Sequence, residues 1–574
     1  MTKGLYLLDH GAGNVRSLAN SISKIGYEFE WIRSPKDFDK AERLIFPGVG
    51  AFQAAIDHLT ASGLLEPLKA YIKSGRPYFG ICIGMQVLFE SSTENPSSKG
   101  LGVIPARIEE FSRGDKAVPH MGWNAAELVD GEPASRVEDE QQTGIIKDAY
   151  FYFVHSFRAP YDESTSEWAH STTQYGQELF LASVRKGNVF ATQFHPEKSG
   201  EAGLRVLKSW ISAPTETVDS RSTRPIVRTL RTPGPKDRFI RRIIACMDVR
   251  ANDQGDLVVT KGDQYDVREK EASPKTEVVT TSSSRPSSPC RAVRNLGKPV
   301  ALAKAYYDAG ADEICLLNIT SFRSSPLADQ PMLAVVRAAA AETFVPLTIG
   351  GGIKDTVDPD GTPRSALEVA SLYFRAGADK VSIGSEAVVA VEAMLGREGH
   401  TMDGKSPMET IAHAYGRQAV VVSIDPRKVY ATDPADHHDE LVIGKNAISA
   451  YGDEKDKMWW YQATTQGGRT NRPLSVVQLA KGAEKLGAGE ILLNSIDRDG
   501  TNIGYDLDLI NLVRNAVNIP VVASSGAGKP ADFVQVFEKT RVEAALAAGI
   551  FHRKEVQISE VKAALEEAQI NVRR

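Results

Sequence analysis

Arg242-Ile-Ile-Ala-Cys-Met-Asp248 and Val420-Val-Val-Ser-Ile-Asp425 are two apolar runs that each end in an aspartate, 177 positions apart. Glu313-Ile314 and Glu490-Ile491 repeat that offset, and the turn Gly350-Gly351-Gly352 is answered by Ser524-Ser525-Gly526 about 174 positions later. Apolar strands that resemble one another by chance share neither a common offset nor matched acids. The repeat is the mark of a barrel built from two similar halves.

Working outward, strand-like runs precede helical patterns at Ile243–Met247, Glu313–Asn318, Pro346–Ile349, Lys380–Ile383, Ala419–Ile424, Glu490–Ser495, Pro520–Ser524 and Glu543–Ala547. Eight such units predict an α/β fold with a closed (β/α)8 TIM barrel over residues 238–574. Two polar insertions interrupt it. One, near 269–291, is rich in Ser, Thr and Pro and holds Cys290; the other, near 430–456, holds His437 and His438.

Residues 1–212 read as a separate open α/β sheet, with strands at Leu5–Leu8, Leu44–Phe46, Tyr78–Ile81, Tyr150–Val154 and Val189–Gln193. Residues 213–237 lack hydrophobic periodicity and carry several prolines, as a linker does. At about 150 residues per domain, 574 residues suggest three or four domains. A barrel of this length reduces the expectation to two.

A net charge of -5 excludes a general polyanion binder and leaves room for local phosphate sites. Four cysteines (Cys82, Cys246, Cys290, Cys315) form no disulfide framework, and none has zinc spacing. They fit a reducing compartment. The N-terminal run Leu5–Leu8 meets Asp9 too soon for a signal peptide, so a cytoplasmic protein without metal or cofactor is expected.

The most reactive pattern is Pro77-Tyr-Phe-Gly80-Ile-Cys82-Ile-Gly84-Met-Gln86, an apolar strand, then Gly-x-Cys-x-Gly, then a helical run. Flanking glycines let a nucleophile sit on a strained strand-to-helix turn, and the helix N-terminus favours thiolate over thiol. An isolated cysteine is more often a core residue. Here Gln193-Phe-His195-Pro-Glu197 supplies a base and an orienting carboxylate, and Phe46-Pro-Gly-Val-Gly50 supplies backbone N–H groups for an oxyanion. The combination reverses that preference.

In the barrel, Asp248 and Asp425 end the first and fifth strands, which face each other across the mouth, where two carboxylates serve as general acid and base. Gly351, Gly352, Ser385, Gly500, Gly526, Ala548 and Gly549 lie at strand-end turns suited to phosphate, with Lys261 within reach of one of them. Because they fall in both halves, two phosphate sites are expected. No P-loop and no dinucleotide fingerprint is present; Gly526-Ala-Gly528-Lys529 runs into Pro530 instead of Ser or Thr.

These segments carry a family resemblance. Asp9-His-Gly-Ala-Gly-Asn14, Pro47-Gly-Val-Gly50, Gly122-Trp-Asn124 and Phe153-Val-His-Ser156 resemble the flavodoxin-like, class I glutamine amidotransferase unit of the imidazole glycerol phosphate synthase family. Arg242–Val249, Gly310–Ile314, Leu347–Ile353, Gly377–Ser382 and Ser495–Thr501 resemble its cyclase barrel. The fused form is found in fungi and plants, and the fungal type suits a chain without a transit peptide.

The resemblance implies that Cys82 attacks glutamine, with Gly50 and Gln86 holding the substrate or its oxyanion. Ammonia then meets phosphoribulosyl-formimino-AICAR-phosphate, with Asp248 and Asp425 as catalysts and Lys261, Asp499 and Gly500 among the substrate contacts. It further implies that Arg242, Glu313, Lys380 and Glu490, at the starts of barrel strands, form a charged gate for ammonia; a structural ion-pair ring is the simpler reading, and both can hold. The two units are each other's partners in a chain expected to be monomeric, with neither nucleic acid nor membrane as partner. Asn318, Gly384 and Ser525 depart from the family pattern, where Asp, Asn and Gly are expected. Two other readings compete. A pyridoxal-phosphate synthase barrel explains neither the paired aspartates nor Ser495-Ile-Asp-Arg-Asp-Gly500, and the intact set Cys82, His195, Glu197, Asp248 and Asp425 argues against a non-enzymatic scaffold.

Overall fold

The computed structural model describes residues 4–9, 11, 13–129, 140–214, 230–251, 257–260, 297–319, 326–433 and 440–573. Lys261, Cys290, His437, His438 and the whole 269–291 insertion lie outside the described residues.

In the N-terminal half, Leu5–Leu8, Arg43–Phe46, Tyr78–Ile81 and Val189–Thr192 are buried at every position. A strand covered on both faces reads as an unbroken apolar run rather than an alternating one, and parallel strands need that cover. With Glu30–Ile32 they form the parallel part of an eight-stranded sheet. Glu178–Lys186, Ala169–Tyr175 and Glu127–Leu128 extend it antiparallel. These three strands, and the ribbon of His120–Ala125 paired with Tyr150–His155, are mostly absent from the sequence reading. Their polar residues (His120, Asn124, His170, Thr172) hide burial behind composition.

The barrel strands are Arg242–Ala251, Glu313–Asn318, Leu347–Gly350, Lys380–Ile383, Val420–Ile424, Glu490–Asn494, Val521–Ser524 and Ala544–Ala547, parallel and in chain order. Register pairs Arg242↔Ala544 and Ala245↔Ala547 close the cylinder. Alternate residues face inward, and Ile244, Cys246, Cys315, Val421, Leu492, Val522, Ala544 and Leu546 pack together as an apolar plug.

The insertion expected near 430–456 needs correction. Arg427–Ala431 and Val442–Ile443 pair with Met458–Thr465, which pairs in turn with Thr470–Ser475, so the element is an antiparallel sheet reaching beyond 456. Lys428 over the buried Trp459 ring, 4.6 Å from its centroid, helps anchor it. The end of the expected linker is also placed: Arg231 pairs with Glu127, Gly234 exchanges hydrogen bonds of 2.8 and 2.9 Å with the Gln174 side chain, and Asp237 accepts from the Gly176 N–H at 2.7 Å. Among the described residues no helix is long and apolar enough to cross a membrane.

The N-terminal half docks on the closed end of the barrel. Met121, Trp123, Tyr152 and Val154, from the separate ribbon, belong to the barrel's own hydrophobic core. Trp123 Nε1 donates to the Asp312 carbonyl at 3.0 Å, and the Arg573 guanidinium lies over its ring. Asn14 donates to Asp379 at 2.9 Å, and Lys198 pairs with the same carboxylate at 2.7 Å.

At that closed end Arg242 pairs with Glu313 at 2.7 Å and with Glu490. Lys380 pairs with Glu313 at 2.7 Å and Glu490 at 2.6 Å, closing a ring of alternating charge in which every side chain is at most 2% exposed. Burial works against ionising Glu313, but Lys380 and Arg242 outweigh it and hold the carboxyl below its ordinary range. Removing one member of a buried ion pair leaves an uncompensated charge, at a cost of about 3–5 kcal/mol. Lys380→Met is expected to lose that much in urea unfolding of the full chain, and adding Glu490→Gln is expected to recover part of it.

Candidate active site

Strand Tyr78–Ile81 ends in Cys82, whose φ of 51° places a non-glycine residue in the left-handed region. The turn is possible because its neighbours have no side chains. A Cβ on Gly84 would lie 2.0 Å from the Phe46 carbonyl oxygen, and one on Gly80 would lie 2.3 Å from the Gly84 oxygen. Cys82 N–H donates to Thr192 O at 2.7 Å, tying the turn to the strand that carries the base. The Phe46–Gly50 loop lies against this turn, with Ile83 N–H donating to Gly48 O at 3.3 Å.

His195 Nδ1 and Glu197 Oε1 are 2.7 Å apart, both side chains buried. Among the described residues the His195 Nε2 makes no hydrogen bond of good geometry, yet the Cys82 sulfur is close enough to act on the ring. Burial opposes charging this imidazole, but the Glu197 carboxylate and the Cys82 sulfur outweigh it and push its pKa up to about 10. The arrangement suits a thiolate–imidazolium pair. Gln86 Nε2 donates to the Phe157 carbonyl at 2.9 Å and to Gln193 Oε1 at 3.0 Å, and Gln193 Nε2 lies 3.4 Å from Cys82 Sγ.

The open end of the barrel holds a cavity of about 110 Å³ whose lining includes Asp248, Asn494, Asp499, Gly500, Gly526, Ala548, Gly549 and Arg553. Asp425 lies across the barrel on the fifth strand and accepts a hydrogen bond from Asn494 Nδ2 at 2.8 Å. Burial pushes the Asp425 carboxyl above its ordinary pKa; the Asn494 hydrogen bond opposes this and nearby Asp499 adds to it. It is thus suited to keep a proton.

Gly351, Gly352 and Ser385 do not line that cavity. They end the third and fourth strands, on the other side of the mouth, where Ser385 Oγ accepts from the Gln466 N–H of the inserted sheet at 2.9 Å. Both glycines have positive φ, and a Cβ on Gly351 would lie 2.0 Å from the Asn318 oxygen. Ser525 has φ of 76°, so this serine occupies the backbone conformation for which glycine is expected. Gly384 leads into the Ser385–Leu395 helix with open space where a side chain would stand.

The triad and the charged ring meet through Tyr152. Its carbonyl accepts from the His195 N–H at 2.9 Å. Its phenol is fully buried, makes no hydrogen bond among the described residues, and is held above its ordinary pKa first by burial and then by Glu313. Beside it, Met121 Sδ lies 3.5 Å from Lys380 Nζ. Sequence reasoning missed Tyr152, Gln193 and Asn494 as site residues. All three lie in strand or motif segments that it singled out, but no local pattern marks these particular side chains for the site.

A profile for the family described as "Glutamine amidotransferase class-I" matches residues 6–212, and one described as "Histidine biosynthesis protein" matches residues 242–557. The chain is 50% identical over 576 residues to an imidazole glycerol phosphate synthase of Emericella nidulans, covering 99% of both chains. It is 49% identical over 559 residues to that of Schizosaccharomyces pombe, covering 97% of each. A chloroplastic relative from Arabidopsis thaliana is 49% identical over 571 residues, 99% of this chain and 89% of its own. With both halves matched and the similarity running through the junction, the chain belongs to the imidazole glycerol phosphate synthase family, as a bifunctional enzyme of histidine biosynthesis that joins an amidotransferase to a cyclase barrel.

Proposed function

We propose that residues 1–212 act as the glutaminase and 238–574 as the cyclase, joined by 213–237. Cys82 Sγ attacks the side-chain carbonyl carbon of glutamine, Gly50 holds the oxyanion while Gln86 accepts from the substrate through its side-chain oxygen, and His195 delivers a proton to the departing ammonia. Water then hydrolyses the glutamyl thioester. Ammonia leaves past Tyr152 and through the gate of Arg242, Glu313, Lys380 and Glu490 into the barrel. At the mouth it attacks phosphoribulosyl-formimino-AICAR-phosphate, and Asp248 and Asp425 exchange protons during cleavage and ring closure to give imidazole glycerol phosphate and AICAR. Gly500, Gly526, Ala548 and Gly549, with Asp499, would hold one end of this substrate; Gly351, Gly352 and Ser385 would hold the other. Lys261 completes the proposed contacts.

The observation that carries this reading is Tyr152, bonded to the triad through its backbone while its side chain lies in the field of the ring. On this reading ammonia made at Cys82 forms on the side of the site that Tyr152 links to the buried charged ring beneath the barrel. Bulk water would protonate ammonia and remove its nucleophilic pair, so a dry route has a chemical purpose.

Cys82→Ala is expected to abolish glutamine-dependent synthesis while leaving ammonia-dependent synthesis near the parent rate in steady-state assays with glutamine or ammonium salts. Asp248→Asn is expected to lose both, and full activity in that variant would remove the acid/base assignment. The imidazolium of His195 persists to about pH 10 because Glu197 and Cys82 outweigh its burial. Removing the Glu197 charge favours the neutral ring, so Glu197→Gln is expected to move the alkaline limb of kcat/KM for glutamine to lower pH.

A further inference from the structure

Gln193 is a buried polar residue that meets the nucleophile directly and is used by neither the triad nor the substrate contacts. Strand Val189–Thr192 runs parallel to Tyr78–Ile81 with Thr192 opposite Ile81, so the next residue, Gln193, comes level with Cys82. The chain continues extended, with His195 at φ −97° and ψ 99°. Residues two apart on extended backbone share a side, so Gln193 and His195 both face the sulfur. Phe194 takes the opposite side and stacks on Phe151 at 4.2 Å between centroids.

The Gln193 side chain is fully buried, and its backbone N–H is held by the Ala182 carbonyl at 2.8 Å. Its Nε2 donates to Cys82 Sγ at 3.4 Å, and its Oε1 accepts from Gln86 Nε2 at 3.0 Å. The second Gln86 donation, to Phe157 O, shares that carbonyl with His155 Nδ1 at 2.7 Å. Both Gln86 N–H groups are thereby committed, which fixes which way round this amide lies and leaves its oxygen as the acceptor.

We propose that Gln193 is a positioning residue of the glutaminase: its carboxamide N–H holds and stabilises the Cys82 thiolate while its oxygen orients Gln86 for the incoming glutamine. The proposal rests on the assignment of Cys82 as nucleophile. A carboxamide suits the role chemically. It donates to an anion but cannot take the proton, so it does not compete with His195 as base. Among the described residues, the charged group that bears on the sulfur is His195, backed by Glu197; the Gln193 amide that meets it is neutral. A hydrogen bond to an ionised group is about twice as strong as one between neutral groups, so losing it penalises the thiolate more than the thiol.

The test is the pH profile of Cys82 carbamidomethylation by iodoacetamide, followed by mass spectrometry on the full chain, beside the two synthase assays. For Gln193→Met we expect the profile to move to higher pH by about one unit, roughly tenfold slower alkylation on its acid limb. Glutamine-dependent turnover falls at least as much, KM for glutamine rises, and ammonia-dependent synthesis is unchanged. A residue that merely fills the core would lower stability without moving the alkylation profile. A Gln193→Met profile that coincides with the parent overturns the proposal. If ammonia-dependent synthesis is also lost, marking a damaged fold, Gln193→Asn serves instead, since it keeps a carboxamide but withdraws it by one methylene. The same upward displacement is expected there, and an unmoved profile again overturns the proposal. Failure of the nucleophile assignment is separate, because it would show as glutamine-dependent activity surviving in Cys82→Ala.

Discussion

Four charges buried at one end of the barrel constrain how its strands can pair and close. Arg242, Glu313, Lys380 and Glu490 come from strands one, two, four and six, and each cation touches both carboxylates. Charges deprived of water must be paired closely, so a one-residue slip in any of these strands would strand a charge in the wall. The ring therefore ties strand register to barrel closure. Thr348 of the third strand adds a hydrogen bond to Glu313 at 2.6 Å, bringing a further strand into the same layer.

The same layer decides where the amidotransferase half can sit. Its docking ribbon presents Met121, Trp123, Tyr152 and Val154, which pack into the barrel's core, with Met121 Sδ 3.5 Å from Lys380 Nζ of the ring. Polar contacts are placed around this patch: Asn14 and Lys198 on Asp379, Trp123 on Asp312, and Arg573 over the indole. Asp379 precedes Lys380 in sequence, so one contact of the interface is attached to a member of the ring. The nucleophile turn, the base and the docking ribbon are thus coupled by short backbone links, Cys82 to Thr192 and His195 to Tyr152.

Much of this was legible in advance. The eight barrel strands and their half-barrel repeat show in the sequence because strands covered on both faces must be continuously apolar. The nucleophile turn shows because its geometry excludes side chains at Gly80 and Gly84. The antiparallel extension of the first sheet, the His120–Ala125 strand that pairs Tyr150–His155 into a separate ribbon, and the inserted sheet around Met458–Thr465 were not legible. Their residues are polar or mixed and become buried only against partners far along the chain, as His120 does beneath Phe153 and Tyr175. Tyr152, Gln193 and Asn494 remained without roles for a related reason: an aromatic or amide side chain gains a function only from what stands opposite it.

The sequence by itself determined the fold class of both halves, the eight barrel strands and the identities of the proposed nucleophile, base and paired acids. Those follow from local rules of burial, turn geometry and chemical type, which act over a few residues. Tertiary structure alone decided that Arg242 and Lys380 each bridge Glu313 and Glu490, that Gln193 faces the sulfur, and that Asn494 holds Asp425. It also decided that Gly351, Gly352 and Ser385 stand apart from the cavity beside Asp248. Each of these depends on the angle and register at which distant strands meet, which barrel closure sets for the whole molecule at once.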